Sequence, residues 1–107
     1  MIIEYIRYRI PAEQHEAFES AYTKAQQPLK DSIHCFTYEL SQCVEEPECY
    51  MLRIEWDSID GHMQGFRRSA EFREFFSHIQ PFVGQIVEMR HYQKTAIVGK
   101  HPSTMPA

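Results

Sequence analysis

The chain has no asparagine, only four glycines and three cysteines, and no basic cluster larger than the pair Arg67-Arg68. Each scarcity excludes something. The glycines fall in no phosphate loop, dinucleotide fingerprint or nucleophile elbow, so the phosphate-cradling and serine-hydrolase classes lose their usual signature. Cys35, Cys43 and Cys49 are an odd set without CxxC spacing. They are expected to be reduced thiols in or near a sheet, not zinc ligands. Eleven Lys and Arg against fifteen Asp and Glu leave a net charge of −4, which argues against nucleic acid as the partner. No apolar run approaches the roughly 18 residues of a membrane span, so no membrane partner is expected. The opening MIIEYIRYRI alternates polar with apolar and carries Glu4 early; it reads as a strand and not a secretion signal, and a cytoplasmic location is expected.

What is present is aromatic: seven phenylalanines, six tyrosines and one tryptophan in 107 residues. With 43% hydrophobic and 24% charged residues, this is the composition of one small globular domain, expected over residues 1–95. Each buried phenylalanine contributes roughly 1.5–3 kcal/mol, so a few hold such a domain together. The segment 96–107, with Pro102 and Pro106, is expected to be a mobile or partner-bound tail.

Periodicity orders the elements. Ile2 to Ile10 forms a strand whose even positions, Ile2, Glu4, Ile6, Tyr8 and Ile10, face the helices. Pro11 opens a helix with an apolar stripe at Phe18, Ala21, Tyr22 and Ala25, and Pro28 is expected to close it, leaving Leu29 to Ile33 as a connection. His34–Cys43 and Cys49–Trp56 form a hairpin whose partners sum to 92. That register sets Phe36 opposite Trp56, Tyr38 opposite Ile54 and Leu40 opposite Leu52, with Glu39–Arg53 and Thr37–Glu55 on the other face. Asp57 or Ser58 caps a following helix with Ile59, Met63 and Phe66 inward, weakened by Gly61 and Gly65. Ser69 caps a further helix with Phe72, Phe75, Phe76 and Ile79 inward, and Pro81 stops it. A strand from Gln85 to Thr95 places Val87, Met89 and His91 on the uncovered face. The order β-α-β-β-α-β predicts an α+β, ferredoxin-like four-stranded antiparallel sheet with helices on one face. The other face mixes Ile3, Tyr5, Met51, Val87 and Met89 with Arg7, Arg9, Arg53, Glu39 and Glu55. That mixture suits a homodimer packed sheet on sheet.

One stretch organises the rest. The strand ending at Trp56 delivers the single indole to a phenylalanine-rich helix pair, which is a pocket wall. Trp56 closing a strand, then DSIDGHMQGFRRSAEFREFF, IQPFV and a strand ending in RHY, resembles the antibiotic biosynthesis monooxygenase domain superfamily over about residues 1–95. The resemblance implies a dimeric α+β barrel of two ferredoxin-like protomers, each holding a small ligand between helices and sheet. It also implies either cofactor-independent oxidation of quinols or polycyclic phenols, or haem degradation. The haem-degrading pattern uses an asparagine on the first strand, a tryptophan after the third and a histidine ligand in the second helical segment. Here asparagine is missing and Phe66 and Phe76 fill the other two places, with His78 on a different helix face. That activity is therefore not expected.

For the oxygenase the resemblance implies that the phenolate itself reduces dioxygen, so no flavin or metal is expected. Trp56 matches the family's pocket tryptophan. His62 is the expected base or hydrogen-bond partner, histidine titrating near 6.5, with Asp57 or an inward tyrosine as alternatives. Phe36, Phe66, Phe75, Phe76 and Phe82 are expected to line a flat aromatic pocket, with Tyr38 and Tyr92 turning hydroxyls inward. Plain core packing is the stronger account of the phenylalanines. His34, His78 and His91 lack metal-like spacing with one another. The two functional expectations are a monooxygenase of a quinol-like or phenolic molecule and a non-catalytic small-molecule-binding dimer on the same fold.

Overall fold

The computed structural model describes residues 1–102. Four strands, β1 (Ile2–Arg9), β2 (Cys35–Gln42), β3 (Cys49–Trp56) and β4 (Ile86–Gln93), form one antiparallel sheet in the order β2-β3-β1-β4. Two helices, α1 (His15–Asp31) and α2 (Ala70–Ile79), cross one face of it. This is the ferredoxin-like arrangement predicted from the order of elements.

The even residues of β1 are buried beneath the helices, Glu4 among them. Between helices and sheet an aromatic core centres on Phe18, whose ring lies 4.8 Å from Tyr8, 4.8 Å from Tyr50 and 5.2 Å from Phe82. Such edge-on and tilted pairs add about 0.5–1.5 kcal/mol each beyond their buried area. The buried hydroxyls of Tyr8 and Tyr22 hydrogen-bond to one another, so each has a partner inside the apolar core.

The structure departs from the periodicity in four places. Pro28 does not end α1; it lies in its last turn, buried, and the helix continues to Asp31. So late in a helix a proline forfeits one backbone bond and gains a packed ring, and Leu29 joins the inward stripe. In the hairpin, Tyr38–Ile54, Leu40–Leu52, Glu39–Arg53 and Thr37–Glu55 pair as predicted, but a bulge puts Cys35 opposite Trp56. Cys35 takes the inward place and Phe36 turns out, 52% exposed. A second bulge at Val87 changes the phase of β4, so that Ile86 pairs with Tyr8 while Met89 and His91 pair with Ile6 and Glu4 on the covered face. Met89 and His91 therefore do not belong to the open face. Tyr92 does: it pairs with Ile3 and its ring meets Tyr5 at 5.4 Å.

The fourth departure follows Trp56. The segment Gly61–Gly65 is a π turn and Phe66–Arg68 a 3₁₀ turn, so the inward residues are His62 and Phe66, while Ile59 and Met63 stand exposed. Ser58 caps this segment through Oγ, which accepts from the Gly61 N–H at 2.9 Å. Ser69 caps α2 by accepting from the Phe72 N–H at 3.2 Å, and α2 stops at Ile79 before Pro81, both as predicted. The tail expectation for 96–107 falls partly on residues 103–107, outside the described residues. From 96 to 102 there is no helix or strand, and Ile97 and Val98 are exposed.

Candidate functional site

At the end of β3 the Trp56 indole is fully buried, and its Nε1–H donates to Glu4 Oε1 at 3.0 Å. An acid on the covered face of β1 thus acquires a fixed donor from the neighbouring strand. His62 lies flat on the indole, ring centroids 4.3 Å apart and planes 10° off parallel. The wide π turn and its two glycines bring it there. The His34 imidazole, bonded through Nδ1 to Asp57 Oδ2 at 2.8 Å, lies against the backbone of Gly61 and Gly65. A side chain on either glycine would collide with that pair, so these glycines are spaces for a neighbour. Asp57, held below the usual carboxylate range chiefly by His34, is committed to this contact and not to the pocket.

His91 completes the constellation from β4. Its Nε2 is 2.8 Å from His62 Nδ1, one ring nitrogen donating to the other, and 3.9 Å from Glu4 Oε2; His62 Nε2 is 3.6 Å from Glu4 Oε1. The ligand-type atoms of Glu4, His62 and His91 all lie within 4.8 Å of one another. Burial pushes the Glu4 carboxyl up to about 7, against the pull of the Trp56 hydrogen bond and the Arg67 charge. Burial, then the neighbouring His91 and Arg67, takes His62 down to about 3. The predicted titration of His62 near 6.5 is therefore displaced: it is a neutral imidazole over the physiological range. His91 is lowered too, by burial and then Arg67. The cluster offers one carboxylate able to trade a proton near neutrality and imidazole lone pairs beside it. In chemical terms it is a proton acceptor, and equally an N,N,O donor set for a metal ion.

Above it opens a cavity of about 110 Å³, walled by Trp56, Phe66, Phe75 and Ile79, with Phe76, Arg67 and Met89 towards its outer side. Of the residues proposed from sequence, Trp56, His62, Phe66, Phe75 and Phe76 come together here. Four do not. Phe36 is turned out by its bulge, and Tyr92 lies on the opposite face of the sheet, 47% exposed. Phe82 packs on Phe18 within the core. Tyr38 donates to Gln26 Oε1 at 3.0 Å and lines a separate hollow of about 330 Å³ between α1 and β2, bordered by Glu19, Thr23 and Glu39. Glu4 and His91 were missed as site residues. A signal existed for Glu4, an acid inside an otherwise apolar inward stripe.

A family model described as antibiotic biosynthesis monooxygenase matches residues 1–77. The chain is 31% identical over 78 residues to YczJ of Bacillus subtilis, an uncharacterised protein, covering 73% of this chain and 82% of that one. Among solved structures it is similar to a candidate antibiotic biosynthesis monooxygenase of Bordetella bronchiseptica, with a TM-score of 0.73 and 26% identity over 88% of this chain and 96% of the other. It also shares its fold with Rv0793 of Mycobacterium tuberculosis, with a TM-score of 0.72 and 10% identity over 92% and 98% of the two chains. Among the described residues no helix is long and apolar enough to cross a membrane.

Proposed function

The chain belongs to the antibiotic biosynthesis monooxygenase family, and we propose that it is a cofactor-independent monooxygenase of a phenolic or quinol-like small molecule. The observation that carries this reading is the meeting of a buried carboxylate and two imidazoles with an aromatic cavity beside the single indole. The substrate ring lies against Phe66 and Phe75. Glu4, not His62, takes the hydroxyl proton, Trp56 fixes the carboxylate through its N–H, and neutral His62 hydrogen-bonds the resulting phenolate. In the balanced reaction a phenol and dioxygen give a quinone and water. One oxygen atom enters the ring, the other leaves as water, and the substrate supplies all four electrons. Ligand sites usually exceed 300 Å³, so about 110 Å³ narrows the substrate to one ring in place of a polycycle.

That small volume also favours a second reading, binding of a one-ring ligand without turnover. Oxygen uptake with reduced one-ring and two-ring quinones, in excess chelator, separates the two. The first expects uptake by the wild type with the one-ring compound and a loss of at least about 100-fold in Glu4→Gln. No uptake by a wild type that still binds the ring leaves the second. Full activity in Glu4→Gln removes Glu4 from the mechanism.

We further propose that the open face is where two copies meet. Ile3, Tyr5, Met51 and Tyr92 share it with Arg53 and Glu39, which oppose one another across β2 and β3, and with Glu55, bonded to Lys94 at 3.0 Å. An apolar centre interleaved with charges of both signs suits an interface of this kind.

A further inference from the structure

We propose that Glu4, His62 and His91 form a binding site for one divalent first-row transition-metal ion. Three observations carry it. The donors are two imidazoles and one carboxylate, a set that suits zinc, iron, cobalt or copper and leaves further coordination positions open. They come from three separate elements, β1, the π turn and β4, yet their donor atoms fall within 4.8 Å of one another. And each is already held by an outer contact that leaves donor capacity towards the others: Trp56 N–H on Glu4 Oε1, the Trp56 ring beneath His62, and β1–β4 pairing under His91. Outer contacts of this sort orient metal ligands.

The geometry needs little change. Ligand bonds of about 2.0–2.2 Å put neighbouring donors roughly 3–3.5 Å apart. With His62 Nδ1 as the ligand atom, it lies 2.8 Å from His91 Nε2, which in turn is 3.9 Å from Glu4 Oε2, and the three donor atoms fall within 4.8 Å of one another; the 3.6 Å approach of Glu4 is to the other ring nitrogen, His62 Nε2. An ion would take the place of the proton that now joins the two rings, and Glu4 would swing inward by about an ångström towards His62 Nδ1. Arg67, whose charge reaches all three groups, opposes a cation and sets a limit on affinity. Glu4 and His62 both line the aromatic cavity, so a bound ion would be within reach of whatever ligand the cavity takes. Ion and substrate proton call on the same lone pair of Glu4, so in any one molecule the two uses exclude each other.

The test is titration of the metal-stripped full chain with Co²⁺, read by visible d–d absorption, and with Zn²⁺ in competition. The expected result is one ion per chain, displaced by zinc, with at least a 10-fold weaker affinity in His91→Gln and in Glu4→Gln and no change in His78→Ala. His91 is only partly buried, so its variant is expected to fold even if Glu4→Gln does not. In parallel, nitrogen-15 shifts of the imidazoles should move for His62 and His91 alone. No ion-dependent absorption, or binding that His91→Gln leaves intact, overturns the proposal. Neither result touches the oxidation reading, whose assay is run in chelator.

Discussion

Gly65→Ala is a change of one methyl group whose cost can be worked from the coordinates. Gly65 has φ −86° and ψ −76°, a backbone any residue adopts, so glycine is not there for conformational freedom. Space is the reason: a Cβ at this position would lie 2.3 Å from His34 Nε2, 2.6 Å from Cδ2 and 3.0 Å from Cε1. No small shift relieves contact with a whole ring edge. His34 must leave, giving up its 2.8 Å bond to Asp57. Overpacking of this kind costs about 1–3 kcal/mol. The half-exposed hydrogen bond contributes about 1 kcal/mol, and the alanine returns up to about 1 kcal/mol of helical propensity. The expected net is about 1–3 kcal/mol destabilising, a fall in Tm of roughly 5–20 °C for a domain of this size. Urea and thermal unfolding measure it directly, and a double-mutant cycle assigns it. In a His34→Ala background, Gly65→Ala should become neutral or slightly stabilising. If it costs as much without His34 as with it, the explanation of both glycines as room for the His34–Asp57 pair is wrong.

Phe66→Ala should cost about 3–5 kcal/mol and Phe36→Ala less than about 0.5 kcal/mol, because Phe66 is buried in the core and the bulge turns Phe36 out; equal costs in unfolding experiments would restore the unbulged hairpin. Burial pushes Tyr8 up to about 12 and Tyr22 well above its usual 10, so both are protonated in the folded chain when the unfolded chain has ionised them. Their contribution is complete below pH 10 and is lost as pH rises through about 12, and alkaline unfolding followed at the tyrosinate band should show wild type losing stability over that interval more steeply than Tyr8→Phe/Tyr22→Phe. If two copies meet on the open face, Arg53→Ala should weaken the dimer by about 3–5 kcal/mol by leaving Glu39 unpaired in the interface, while Glu55 keeps Lys94; an unaltered elution volume at micromolar concentration would place the interface elsewhere.

The element order, the hairpin pairing from Thr37 to Leu40 and the Ser69 cap were legible because each depends on spacing within one or two turns of chain. The two bulges were not. A bulge is one extra residue without a compositional mark, and beyond it every side chain changes face. One at Phe36 removed a predicted pocket residue, and one at Val87 brought His91 from the supposed outer face to within reach of Glu4. The same limit hid the site. Trp56 and His62 are close in sequence and were found together, whereas Glu4 and His91 reach them only through strand pairing. The glycines of the π turn were legible only as weak helix formers, since the ring that occupies their space comes from His34, on another element.

Trp56 is the sole indole of the chain, and it touches two members of the cluster, one through its N–H and one through its face. The protein therefore carries a built-in fluorophore at the one place where a proton, an ion or a ring would change its surroundings. Emission excited at the red edge of protein absorption would report that place alone, with no label and no second chromophore to subtract. Occupancy of the cavity is thus readable by light before any product is known.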